Sequence, residues 1–241
     1  MSAPFALPGL TAPEPTRGHT PEAAAAQAEA VFDRLEAELS ARGGRLTDLC
    51  KITMQLTDRA FRQAVYAVMG RRLRGVRPVS TGLIVPGLDD PHALFQLDAH
   101  AVPGGPHERL RPYRSTSMPY GRDHQPFVAE LCMAVRAGPH VYLRGQTGMS
   151  LDGVFGGLND AGEQARIAMD NVETLLADAG ATLADAVHAT IFVTDRAHVP
   201  AVAAAILPRF AGRPVPHALL VVKGLAAPEI LMEVDVQAHV G

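Results

Sequence analysis

The chain has 241 residues, enough for one large domain or two small ones, and 47% are hydrophobic, so a core forms without disulfide or metal staples. No run of about 18 apolar residues occurs, which excludes an expected membrane-spanning helix, and a net charge of −3 gives no general attraction to nucleic acid. Residues 1–20 are proline-rich without a basic or apolar leader pattern, and Cys50 and Cys132 are far apart in apolar stretches, so no secretory signal and a cytoplasmic setting are expected.

In chain order, the first predicted element is a helix. Thr20-Pro21-Glu22 supplies a cap, a proline at the first helical position and an acid in the first turn. Val31, Phe32, Leu35 and Leu39 recur at helical spacing, and Gly43 is placed to stop the helix. A strand follows, in which Ile52, Met54 and Leu56 alternate with Lys51, Thr53, Gln55 and Thr57. Asp58 is placed to cap a second helix running to about residue 73, and strands at 79–85 and 94–101 close the unit. Residues 103–125, rich in Gly, Pro and Arg and carrying Tyr113 and Tyr120, read as a connector. The tyrosines favour an arm laid over a neighbouring unit, because they lose little entropy when fixed. Arg71, Arg72, Arg74 and Arg77, like Arg109, Arg111 and Arg114, lack interleaved aromatics and read as solvated or interface arginines.

The apolar runs 127–136 and 140–147, joined by Ala137-Gly138-Pro139, read as a hairpin. Asp160 with Glu163 resembles a capping box. It opens a helix whose buried stripe is Ala165, Ala168, Met169, Val172, Leu175 and Leu176, and Gly180 ends it. Ala189, Ile191 and Val193 mark a strand, Asp195 the start of a helix to about residue 210, and 217–222 and 230–238 two more strands.

These elements are a duplication. Leu46-Thr47-Asp48 through Asp58-Arg59-Ala60 returns as Leu183-Ala184-Asp185 through Asp195-Arg196-Ala197, a shift of 137 positions. The same shift pairs Gln27 with Gln164, Gly43 with Gly180, Pro91 with Pro228 and Asp98 with Asp235. It runs without a gap from about residue 22 to about residue 101, with roughly a third of positions identical. The expected organisation is a first repeat at 1–102 without the hairpin, a linker at 103–125 and a complete repeat at 126–241.

The order hairpin, helix, strand, helix, strand, strand resembles the Rid family of reactive intermediate deaminases, also called the YjgF family. The resemblance rests on Ala134-Val135-Arg136-Ala137-Gly138, Gly145-Gln146, Gln164, Phe192-Val193-Thr194-Asp195, Gly224-Leu225 and Glu233-Val234-Asp235. It covers residues 127–240 and, more faintly, 22–102. It implies an α+β fold of two tandem chorismate-mutase-like units, each a mixed sheet with two helices on one face. It further implies trimeric assembly, a ligand cleft between units, and cofactor- and metal-free hydrolysis of enamines and imines to keto acid and ammonia. In such a site an arginine on the penultimate strand holds the substrate carboxylate and a glutamate on the last strand handles water.

The sequence keeps part of this equipment. The arginine position falls on His217, and on Ser80 in the first copy, while the first-strand tyrosine becomes Leu131. The glutamate is present as Glu233, with Gln96 as its counterpart. Histidine carries charge only near or below a pKa of about 6.5 and cannot form the arginine fork. Arg144 precedes Gly145-Gln146 where the family has serine, and an arginine aimed inward from a strand needs a partner. It reads either as an anion anchor or as a salt bridge to Glu233 or Asp235. Asp98 and Asp235 read as structural partners, and Gly153 to Gly157 as a loop beside the cleft. No His-Glu-x-x-His or Cys-x-x-Cys spacing supports a metal.

Two functions follow. One is a hydrolase or deaminase of a small anionic enamine or imine, with Glu233 catalytic and Arg144, Gly145, Gln146, His217 and Ser80 binding substrate. The other is a non-catalytic Rid-like ligand-binding or scaffold protein. A homotrimer is the simplest closed assembly in either case.

Overall fold

The computed structural model describes residues 3–113, 129–210 and 217–241. Among these residues the strands form a four-stranded and a six-stranded sheet. In the first unit β1 (Phe5–Leu10), α1 (Pro21–Ala41), β2 (Leu49–Leu56), α2 (Arg62–Arg72), β3 (Val79–Ile84) and β4 (Phe95–Ala101) give the sheet order β1-β4-β2-β3. β5 (His107–Pro112), β6 (Cys132–Ala137), β7 (His140–Leu143), α3 (Ala161–Asp178), β8 (Ala186–Val193), α4 (Val199–Ile206), β9 (His217–Val221) and β10 (Met232–His239) follow, ordered β5-β6-β7-β10-β8-β9. In each sheet the final pair (β2 with β3, β8 with β9) is parallel and the other pairs are antiparallel.

The expected fold class holds, and the local signals act as read. Thr20 accepts from the Ala23 N–H and Asp160 from the Glu163 N–H; Glu163 turns to Arg166 rather than closing the box. Gly43 and Gly180 adopt φ of 71° and 68°, the left-handed conformation that ends each long helix at little steric cost. Asp58 and Asp195 cap short 3₁₀ turns that lead into α2 and α4. The apolar stripes of α1 and α3 are buried against their own sheets.

Gln27 and Gln164 show what the repeat conserves physically. Gln27 donates to the His92 carbonyl and accepts from the Leu94 N–H; Gln164 does the same with Glu229 and Leu231, each partner displaced by 137. A buried amide satisfied on both sides ties the first helix to the loop before the last strand, and losing it would strand buried backbone groups.

Two expectations about organisation need correction. The first repeat is not without the whole hairpin: β1 pairs with β4 as β7 pairs with β10, so it occupies the place of the hairpin's second strand. The expected linker is in part a strand. β5 pairs with β6 along Arg109↔Val135, so the arm lies on the second unit of its own chain. Its charged sequence hid the strand pattern, yet the arginines are spent on neighbours. Arg109 donates to the carbonyls of Arg77, Thr47 and Leu49, and Arg111 pairs with Asp178. Arg72 likewise bridges Glu29, Asp33 and Glu36. Tyr120, Arg114 and the start of the predicted hairpin at Phe127 fall outside the described residues.

The sheet faces turned away from the helices meet between β2–β3 and β6–β7. One apolar cluster there joins Cys50, Val79 and Val102 to Cys132, Val135 and Tyr142; a second joins Leu83 to Phe192, Val222 and Leu225. Both cysteines are free and buried. Backbone bonds stitch the seam: Ile84 and Gly224 exchange N–H···O bonds of 2.9 and 3.1 Å, and the Gly145 N–H reaches the Ser80 carbonyl at 3.3 Å. No helix among the described residues is long and apolar enough to cross a membrane.

Candidate active site

Between the two clusters a cavity of about 320 Å³ opens, walled by both units. The first unit contributes Arg62 and Tyr66 from α2 and Ser80 and Gly82 from β3. The second contributes Glu233 from β10, the segment from Arg144 to Gly153 after β7, Met133 from β6, and the end of β5 with Tyr113.

Glu233 sits on the last strand because Met232, Val234 and Val236 fill the helix-side core, which turns Glu233 and Asp235 toward the first unit. Glu233 is 5% exposed. Burial first, and then the negative Asp235, push its carboxyl up to about 8, against the opposing pull of Arg144, Lys51 and Arg62. The group is therefore largely protonated at neutral pH and can donate a proton.

Gly145 makes this position available. A Cβ at residue 145 would collide with the Glu233 carboxyl. Gly145→Ala is expected to displace Glu233 and to cost about 1–3 kcal/mol through overpacking, read as a lower denaturation midpoint together with loss of the high-pH Glu233 titration. Gln146 extends the ladder beside it. Its N–H and C=O bond Val234 at 2.9 and 2.8 Å, and its side chain closes on the Arg144 carbonyl at 2.6 Å.

Arg144 lines the cavity with its guanidinium 3.8 Å from the centroid of the Tyr113 ring. Its Nε is buried without a hydrogen-bond partner among the described residues. Of the two readings of Arg144, the salt bridge is not formed among the described residues: Asp235 is taken by Lys51 at 2.6 Å, and Arg144 makes no ion pair with Glu233. Arg62 lies over the Tyr66 ring at 4.6 Å and gives one N–H to the Ala226 carbonyl at 3.3 Å. Gly82 leaves room for the Tyr66 hydroxyl, which a side chain there would meet at 2.6 Å. A protonated carboxyl and two guanidinium groups around one cavity suit an anionic ligand that accepts a proton.

Of the residues singled out from sequence, Glu233, Arg144, Gly145, Gln146 and Ser80 converge on the cavity. His217 does not line it; it is exposed on the edge strand β9. His217 and Ser80 hold equivalent register positions, opposite Ala189 and Ile52, but the wall comes from the first copy's strand, so Ser80 lines the cavity. Arg62, Tyr66 and Lys51 were missed. Their signal was divergence between copies: the shift sets Arg62 against Val199 and Lys51 against His188. Asp98 accepts from the Gly9 N–H and from Gln55, whereas Asp235 pairs with Lys51 and Thr81 rather than with backbone or an arginine. No three His, Cys, Asp or Glu side chains cluster for a metal among the described residues.

Residues 124–240 match the family model described as Endoribonuclease L-PSP. The second unit belongs to the Rid (YjgF, L-PSP) family. Among solved structures the chain is similar to a chorismatase, with a TM-score of 0.73 and 17% identity over 92% of this chain and 72% of that one. It is also similar to Rv2704 from Mycobacterium tuberculosis, of the YjgF/YER057c/UK114 family, at 29% identity over 56% of this chain and 100% of that one, TM-score 0.44. A Rid protein of Yersinia pestis, YyfB, shares 29% identity over 45% of this chain and 86% of that one, TM-score 0.40. The chorismatase likeness is one of fold and spans both Rid-like units, whereas the family match is confined to the second.

Proposed function

We propose that the chain is a cofactor-independent hydrolase of a small anion bearing an imine, enamine or enol ether group. The observation that carries this reading is Glu233, a buried carboxyl raised to about 8 in a cavity lined by Arg144 and Arg62. The arginines bind the anion. Glu233 gives its proton to an imine nitrogen, or to the terminal carbon of an enamine or enol ether, and the adjacent carbon becomes electrophilic. Water adds there and the carboxylate takes a proton from it; Glu233 then passes that proton to the leaving nitrogen or oxygen, the C–N or C–O bond breaks, and the new hydroxyl returns its proton to the carboxylate, leaving a carbonyl compound with ammonia or an alcohol. Such groups already hydrolyse slowly in water, so orientation and one proton suffice.

The test supplies imines made in situ by an amino-acid oxidase and, because the similar two-unit structure is named a chorismatase, chorismate in parallel. Faster release of ammonia or of pyruvate is expected, with KM raised in Arg144→Ala and in Arg62→Ala. Absence of acceleration on every substrate, with thermal stabilisation by small carboxylates that Arg144→Ala abolishes, would instead establish the non-catalytic binding function.

For assembly the reading is a homotrimer. It is supported by Leu220 on β9, about half exposed, whose counterpart Leu83 on β3 is covered by the second unit. Light scattering at the monomer mass would sink it.

A further inference from the structure

Lys51 belongs to the first unit, yet it is 2% exposed and points into the second. Its ammonium meets Asp235 Oδ1 at 2.6 Å, Thr81 Oγ1 at 3.1 Å and the Leu143 carbonyl at 3.2 Å, which uses all three of its protons. Thr81 Oγ1 lies 2.8 Å from both Asp235 oxygens. The repeat itself does not require this arrangement. At the corresponding positions of the other copy, His188 bonds Thr190 and Asp98 bonds Gly9 and Gln55, with no ion pair between them. Stability alone does not call for it either, since a buried ion pair is often no better than an apolar contact of the same size. Its consequence is electrostatic. Asp235 stands two residues from Glu233 on the same strand face, in a buried seam where charges act strongly.

We propose that the Lys51–Asp235 pair tunes Glu233: the first unit, which carries Gln96 in place of an acid, anchors the Asp235 carboxylate through Lys51 on the strand face beside Glu233, where its negative charge adds to burial in favouring the protonated form of Glu233. Lys51 and Asp235 are thus positioning residues that act through Glu233. Their catalytic consequence rests on the hydrolase reading above, while the titration itself does not. The other charges near Glu233 are Arg144 from the segment after β7 and Arg62 from α2, both favouring its ionised form. His100 on β4 also adjoins the pair, and burial and then Lys51 lower its pKa, so it remains neutral where Glu233 titrates. Tyr142 on β7 is pushed above its ordinary range by burial and stays protonated there.

The test is a carbon-13 NMR titration of full-length protein labelled at the glutamate side-chain carboxyls, with the Glu233 resonance identified by its loss in Glu233→Gln. In the wild type Glu233 is expected to titrate near 8. In Asp235→Asn the midpoint is expected to fall by about one unit or more, because the like charge is gone and Lys51 stays. In Lys51→Met/Asp235→Asn, which removes the charges together and avoids an unpaired buried ion, it is expected to fall less and to lie between the two. If Asp235→Asn does not fold, the double variant carries the test. A Glu233 that titrates high but is unmoved in either variant overturns the proposal and leaves the acid assignment standing. A wild-type Glu233 that titrates near 4.5 overturns both.

Discussion

Glu233→Gln is expected to lower the rate of hydrolysis by about 10²–10⁴-fold while leaving substrate binding nearly unchanged, because the amide keeps the size and polarity of the acid but has no proton to give. The arginines that bind the anion remain in place, so the loss falls on kcat and KM moves little. The same variant changes the pH dependence of stability, and the sign can be worked out. The Glu233 carboxyl titrates near 4.5 when unfolded and near 8 when folded. Between those values the folded state holds a proton that the unfolded state has released, so stability falls as pH rises from about 4.5 to about 8. Below that window both states are protonated and the penalty is absent. Glu233→Gln is therefore expected to be the more stable protein at pH 8 by a few kcal/mol and to equal the wild type near pH 4. Denaturant unfolding at the two pH values measures the difference. A variant that gains nothing at pH 8 would show that burial does not penalise the charged acid.

Lys51→Met is expected to destabilise the chain by about 3–5 kcal/mol, since it leaves Asp235, across the seam, and the neighbouring Thr81 buried without the ammonium. Lys51→Met combined with Asp235→Leu is expected to recover most of that loss, because two apolar side chains of similar volume replace the pair without an unpaired charge. The denaturation midpoints of the single and double variants decide the matter. A single variant as stable as the wild type would mean that the pair is solvated, contrary to its burial. Stability and function would thereby be separable, since the double variant is expected to fold while lacking the charges that act on Glu233.

Much of the fold was legible because its signals are local. Pro21 after Thr20, Asp58 and Asp195 before their turns, and Gly43 and Gly180 after their helices act through bonds to residues within a turn of chain. The site was legible in part through the family resemblance, which singled out Glu233 and the Arg144-Gly145-Gln146 segment. Their meeting is a long-range pairing, in which Gln146 bridges Val234 beside Glu233.

By itself, then, the sequence determined the duplication, the α+β class, and the helices with their caps, and it named Glu233 and Arg144 as candidates. Tertiary structure alone decided which units' strands face each other. That choice put Ser80 rather than His217 at the cavity, laid β5 on the second sheet, and brought Lys51 and Arg62 from the first unit to Asp235 and the cavity of the second. The reason is physical. Periodicity records which face of an element is buried, but not what buries it, and a lysine or arginine within an alternating strand or helix reads as solvent-facing until a partner is placed against it.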